Sequence, residues 1–564
     1  MPRGKQKSLK KEIVLNAPAR EHKTFNNQLI FDNSPPDNKF LFGCLLCFVA
    51  LGLFSILHHV MWRDELEAWM MARDASSLGE LFNNIKYQGH PALWFVTLYA
   101  LSRITPNPVI MQMFHLALAV GTVYVALRFA PFTKIQKVLF IFGYYPFFEY
   151  CVISRNYAFG LLLLLIFLSM FRPGLRPGVK KNYINLSIVL FILCQTNPYG
   201  AVIAIALALT LLFELIFLND ATSPISTKTK WQFAAGAIIF ACGLLVSAAQ
   251  MHPPHDSVWY HPTFLHDNKL VMLTKFLEAV AFIWRAYVPI PMFNMHFWGH
   301  NFVSHLFADP INAVKATVVL SIILLIFSLT LFLRRRLALF YYTVGTFGIV
   351  LFSYAIYGGS IRHWGHYFIV FVSAVWLSNL YEVKPFNSGA SQTGVLNKIC
   401  EFKICKFIED KRGAIFTAFL VVNVVAAITA NTLNYLYPFS ANKETATFIK
   451  DNGLDKMPIL GDKDYAVSGV AAYLNRPIYY PTTQRHATFI IWDNKREGVN
   501  ASNILKYAGQ YLLMEKQDIL LVLTYPPSKD SLAMYNNVSF IKAFENSTLY
   551  EERFLLFIMK YAPH

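Results

Sequence analysis

The sequence predicts a polytopic α-helical membrane protein of about eleven transmembrane helices, followed by a small extracytoplasmic α/β domain. Three observations carry this. Of 564 residues, 55% are hydrophobic and only 15% charged, against roughly a quarter charged in an average soluble domain. The formal net charge is +17, yet the lysines and arginines stand in short blocks between long apolar runs. That is the pattern of membrane-topology signals and argues against a nucleic-acid surface. After residue 437 the long apolar runs stop and charges return.

Residues 1–38 form a polar, basic tail with Lys5, Lys7, Lys10 and Lys11, read as disordered and cytosolic. The apolar stretch 40–60 is long enough to cross a bilayer core of roughly 30 Å and too long for a signal peptide. Further spans are expected near 109–129, 137–152, 157–171, 182–196, 199–218, 231–250, 311–333, 337–357, 366–381 and 414–436. With the N-terminus in the cytosol, the basic loops alternate to the inside: Lys134 and Lys137; Arg172, Arg176, Lys180 and Lys181; Lys228 and Lys230; Arg334, Arg335 and Arg336; and 398–412. This alternation requires 91–104 to be a partly embedded helix that does not cross. The seven cysteines include none after residue 437, so no disulfide framework is implied.

The domains are therefore 1–38 (tail), 39–437 (transmembrane, with outside loops 61–108 and 251–310) and 438–564 (α/β). In the last, Ser440 can cap a helix that Gly453 ends. Residues 458–461, 478–480 and 518–524 read as strands, and 464–474 as a helix.

The candidate chemistry lies in the outside loops. Asp64, Glu65 and Glu67 follow directly on the first span. Three carboxylates there are costly unless water, a cation or a substrate compensates them. In a helix, Asp64 and Glu67 share a face. Later loops on the same side carry His90, Glu149, Ser154-Arg155-Asn156-Tyr157, and Gly358-Gly359-Ser360-Ile361-Arg362-His363. Arg155 and Arg362, with His363, are candidates for holding a phosphate, since a guanidinium fork can bind two oxygens. Glu149, His90, Tyr157 and Glu67 are further site candidates. The spacing of His252, His255, His261 and His266 suits no zinc motif, and 251–310 reads as a polar, flexible lid. Each feature also has a purely structural reading. The carboxylates can cap an interfacial helix, and the arginines can reach lipid headgroups.

Trp62-Arg63-Asp64-Glu65, Gly89-His90-Pro91-Ala92-Leu93-Trp94, Glu149-Tyr150 and Ser154-Arg155-Asn156-Tyr157-Ala158 together resemble the GT-C glycosyltransferases. The likeness is to the family-39, protein O-mannosyltransferase and aminoarabinose-transferase branch, in its bacterial members. Gly461-Asp462-Lys463-Asp464-Tyr465 and Arg476-Pro477-Ile478-Tyr479-Tyr480 extend it into the tail. The resemblance implies a GT-C-like fold in the bacterial inner membrane and a polyprenyl-phosphate sugar as donor. It also implies transfer on the periplasmic face to a glycan, lipid or protein acceptor. It assigns Asp64 as base or acceptor-positioning group, with Glu65 beside it. Metal use varies in the superfamily. This chain has no Asp-x-Asp at the site, so no metal ligands are expected, with Mg²⁺ or Mn²⁺ the alternative. The rival reading is a lipid or sugar transporter or flippase. It predicts ionisable residues at the bilayer midplane and broken helices in matched halves.

Overall fold

The computed structural model describes residues 36–171, 181–218, 226–260, 268–380 and 402–562. Among these, seven helices are long and apolar enough to cross a membrane: Asn38–His58, Val109–Phe129, Pro198–Phe217, Thr227–Met251, Pro310–Thr330, Arg336–Ala355 and Arg412–Leu436. Their outward faces expose large apolar side chains such as Leu46, Ile238, Leu245 and Ile323. Such faces are unfavourable in water and at home in lipid. The chain is a multi-pass integral membrane protein.

In chain order the helices are α1 (Asn38–His58), α2 (Arg63–Asp74), α3 (Leu78–Ile85), α4 (Leu93–Ser102), α5 (Val109–Phe129), α6 (Lys134–Ile141), then a π-helical segment Tyr144–Val152. They continue as α7 (Tyr157–Met170), α8 (Tyr183–Cys194), α9 (Pro198–Phe213), α10 (Thr227–Met251), α11 (Lys269–Tyr287), α12 (Pro310–Thr330), α13 (Arg336–Ala355) and α14 (Ile361–Leu380). The last span is Arg412–Leu436. α4 has 10 residues, half of what a crossing needs.

Two departures from the expected spans have physical causes. The predicted span 137–152 is broken into α6 and the π-helical segment. Pro146 lies in the second element and cannot donate a backbone hydrogen bond. α7 and α8 lie where the spans 157–171 and 182–196 are expected, with 14 and 12 residues, short of the roughly 20 that cross a bilayer. Finally, 251–310 contains the 19-residue helix α11, which was not expected because Lys275, Glu278 and Arg285 interrupt its apolar run. α11 ends inside the bundle. The Tyr287 hydroxyl lies 2.9 Å from that of Tyr342, and its carbonyl accepts from Asn423, midway along the last span, at 3.3 Å. The chain then returns, so that Trp298 reaches Glu149. Part of the segment read as a lid is thus packed between helices. His261, His266, Arg172, Arg176, Lys180, residues 398–401 and most of the N-terminal tail lie outside the described residues.

The C-terminal region builds one six-stranded sheet of order β3-β2-β1-β4-β6-β5. The strands are β1 Ile459–Gly461, β2 Ile478–Tyr480, β3 Arg485–Ala487, β4 Ile519–Leu523, β5 Val538–Phe544 and β6 Phe554–Met559. β1 runs parallel to both β2 and β4, and the remaining pairs are antiparallel. The β1–β2 crossover is the helix Asp464–Leu474. It packs on α2, where Ala472 joins a buried cluster with Trp69, Met70 and Trp94. The domain therefore sits directly on the acidic cluster.

Candidate functional site

The site forms where α1 gives way to α2. His59 to Trp62 leave the span without helical structure, and α2 begins at Arg63. Glu65 stops the chain from fraying there. Its Oε2 accepts from the Trp62 amide (3.2 Å) and from His59 Nε2 (2.9 Å), and its Oε1 accepts from the Ser154 amide (2.7 Å). His59 Nδ1 in turn meets Asn434 of the last span at 3.1 Å. Glu65 is fully buried, with both oxygens engaged. It ties α1, α2 and the Ser154–Asn156 turn into one unit.

Asp64 faces the other way. Its Oδ2 accepts from Arg362 Nη2 at 2.5 Å, its Oδ1 lies 3.7 Å from Arg63 Nε, and its carbonyl accepts from Arg155 Nη1. Burial alone would raise its pKa, but Arg362, Arg155 and Arg63 outweigh that and hold the carboxyl below its ordinary value. Asp64 is ionised at neutral pH.

Arg362 reaches it from the first turn of α14. Gly359, at φ +76°, makes the preceding turn. A Cβ there would lie 2.8 Å from His363 Cβ and 2.9 Å from the Tyr199 hydroxyl, so only glycine fits. The Arg362 guanidinium lies over Trp62 (4.9 Å) and Trp298 (5.5 Å). Its Nε and Nη1 are buried with no hydrogen-bond partner among the described residues, and so is Arg155 Nε. Leaving buried donors unmade costs about 1–3 kcal/mol each. Three such donors beside one carboxylate mark a place for an anion.

The other expected residues surround this pair. Glu149 accepts from the Tyr144 hydroxyl (2.8 Å) and Trp298 Nε1 (2.9 Å) through Oε1, and Oε2 has no partner among the described residues. His363 Nδ1 accepts from the Ser360 amide at 2.9 Å. The neutral ring therefore carries its proton on Nε2, which donates to the Tyr157 hydroxyl at 2.7 Å. Tyr157 keeps its own proton to donate. His90 Nδ1 lies 3.4 Å from Asn156 Nδ2. Burial, then Arg155 and Arg362, push its pKa down to about 3, so it is neutral and adds no positive charge. Glu67 turns to Gln88 Nε2 (2.9 Å), and burial, then Asp64, push its pKa up to about 8. It is protonated at neutral pH, which leaves Asp64 as the anion of the α2 face.

Sequence reasoning missed Trp62 and Trp298 as the walls of the Arg362 slot, and Arg63 as the link to the C-terminal domain. The Arg63 amide donates to Glu552 Oε1 (3.1 Å) and its guanidinium pairs with Glu551 (2.5 Å). Glu552 is buried and accepts from Asn442 at 2.7 Å. Burial, opposed by Arg63, pushes its pKa up to about 7. A contact across 489 positions has no local signal.

No family model matches the sequence, and no curated protein matches it. Among solved structures the chain is similar to the crystal structure of ArnT from Cupriavidus metallidurans in the apo state, at 12% identity and a TM-score of 0.42. That likeness covers 93% of this chain and 99% of the other.

Proposed function

We propose that the protein is an integral membrane glycosyltransferase that moves a sugar from a polyprenyl-phosphate donor to an acceptor on the outer, periplasmic face of a bacterial inner membrane. The observation that carries this is the Asp64–Arg362 pair, in which an ionised carboxylate abuts a buried guanidinium with two unpartnered N–H groups. Glycosyl transfer needs both halves: a carboxylate to take the acceptor proton, and donors to hold the departing phosphate. In the reaction the acceptor hydroxyl oxygen forms the new bond to C1 of the sugar. The C1–O bond to phosphate breaks with its electron pair on the phosphate oxygen, and the hydroxyl proton passes to Asp64. The second negative charge gained by the phosphate falls to Arg362 and Arg155. Tyr157, its hydroxyl oriented by His363, supplies a neutral donor. Glu65 acts through the backbone, positioning Asp64 and Ser154.

The lipid tail would lie in a groove between spans. A groove of 510 Å³ opens between α1 and the last span, lined by Leu51, Phe54, His58, Phe147, Ile428 and Tyr435. Asn434, which also lines it, reaches Glu65 through His59. A transporter would need ionisable groups along a path through the bilayer. Here Asp64, Arg155 and Arg362 converge at one end of the bundle, under a folded domain, and the buried Lys181–Glu214 pair at the other end, between the start of α8 and the end of α9, is the main exception. Mass spectrometry of outer-face glycolipids and glycoproteins, with and without the gene, tests the reading. A sugar-bearing species that disappears with the gene is expected. Unchanged glycans together with lost movement of a lipid or sugar across the membrane would replace it with the flippase.

Two further expectations belong to this reading. Positions 90 and 500 should face outside and position 335 the cytosol, checked by single-cysteine labelling of intact cells with an impermeant reagent. Labelling at 335 would overturn the topology. The residues present also do not fit a resident divalent cation. Asp64 is held by Arg362, Glu65 by three N–H donors and Glu67 by Gln88, so no two carboxylates share an open coordination space. Transfer should persist in excess EDTA. Its complete loss, with restoration by Mg²⁺ or Mn²⁺, would contradict this.

A further inference from the structure

In an open sheet with parallel strands, ligands bind beyond the strand C-termini where neighbouring connections diverge. The C-terminal domain has such a point. β1 lies between β2 and β4, parallel to both. The chain leaves β1 toward one side and later enters β4 on the other. Beyond the two strand ends stand Asp462, Lys463, Thr524 and Tyr525. Asp462 pins the ends together: its Oδ2 accepts from the Thr524 amide and hydroxyl, and its Oδ1 from the Lys463 amide, all at 2.7 Å.

Lys463 stands at the same point, close enough to the Asp462 carboxylate to interact with it electrostatically. Its Nζ lies 4.9 Å from the Tyr525 ring and 5.8 Å from that of Tyr465. Among the described residues no carboxylate forms an ion pair with it. The Tyr525 hydroxyl is buried with no hydrogen-bond partner among the described residues. From there a strip of half-buried aromatic rings continues. Tyr465 lies nearly parallel to Trp492 (6.3 Å, 21°), the Arg496 guanidinium lies over the Trp492 ring at 4.9 Å, and Trp492 meets Trp259 at 6.0 Å and 59°. Trp259 is 54% exposed. The strip also leads to the catalytic pair, because the Arg63 guanidinium lies 5.4 Å from the Tyr465 ring while its Nε is 3.7 Å from Asp64.

Aromatic rings interleaved with an ammonium outside any ion pair among the described residues, and a hydroxyl without a partner among them, suit a ligand with apolar faces, many hydroxyls and negative charge. We propose that this switch point and strip form a subsite for an acidic oligosaccharide, its anionic group on Lys463 and a sugar ring against the exposed Trp259 where it meets Trp492. That the bound chain is the acceptor rests on the glycosyltransferase reading. The binding itself does not. An interfacial belt is the competing use of surface tryptophans, but it accounts neither for the lysine at the switch point nor for the link through Arg63 to Asp64.

The test is calorimetric titration of the full-length protein in nanodiscs with hexagalacturonate and with the neutral maltohexaose. Saturable binding is expected, tighter for the anionic hexamer. Lys463→Gln should erase that preference. Trp259→Ala should weaken both by at least about tenfold, while Trp259→Phe, which keeps a ring, stays close to wild type. Absence of saturable binding, or wild-type binding by Trp259→Ala, would overturn the proposal. Sugar binding without any glycosyl transfer would defeat only the functional reading, and transfer without sugar binding only this one.

Discussion

Asp64→Asn is expected to lower turnover by about 10² to 10⁴, the usual worth of a general base. Asparagine keeps the size of the side chain and one acceptor oxygen for Arg362 Nη2, so the fold and the donor site should survive. What it loses is the ability to take a proton. No neighbour can substitute. Glu67 is already protonated near neutral pH, with a pKa of about 8, and Glu65 has both oxygens committed to the backbone and His59. The measurement is transfer rate beside donor affinity in purified protein, with the loss confined to the rate. Glu65→Gln should behave differently, lowering the melting temperature and loosening the Ser154 turn with a smaller effect on rate. Normal turnover in Asp64→Asn would remove Asp64 from the mechanism and move attention to Glu149, whose Oε2 is buried and unpartnered.

The fold class was legible because apolar runs of about 20 residues admit few alternatives. α1, α5, α10, α12, α13 and the last span fall within a few residues of where hydropathy puts them. Legibility failed where an element is stabilised by neighbours and not by its own composition. α11 carries Lys275, Glu278 and Arg285 and packs against α12, α13 and α14. α14 is buried along nearly its whole length, so its polar first turn, with Arg362, His363 and His366, continues as helix instead of ending the span. The strands β1, β2 and β4 were visible as short apolar runs, whereas β3 has half-buried and exposed residues only and β5 mostly so. In the site, the acidic cluster and the outer arginines were legible as ionisable groups out of place beside apolar spans. Their partners were not. Trp298 and Glu552 reach the cluster from far along the chain through folding alone, and nothing in the local pattern marks either.

Arg362→Lys is expected to lower kcat/KM by about 10- to 100-fold although the charge is kept. A charge-assisted hydrogen bond is worth roughly 1.5–3 kcal/mol, and about 1.4 kcal/mol is tenfold. The guanidinium spends Nη2 on Asp64 and still presents Nε and Nη1, held flat over Trp62 and Trp298. An ammonium has no fixed fork and cannot lie flat between two indoles. It would satisfy either Asp64 or the phosphate well, but not both in the geometry that sets one against the other. Arg155→Lys should cost less, because Arg155 already spends Nη1 on the Asp64 carbonyl and has Nε to spare. In both variants the loss should appear in donor affinity as well as rate, since the phosphate is present before and after transfer. Steady-state kinetics with the donor varied at fixed acceptor separates the two. Full activity with an unchanged donor KM in both variants would mean that the unpartnered guanidinium nitrogens serve something other than the leaving phosphate.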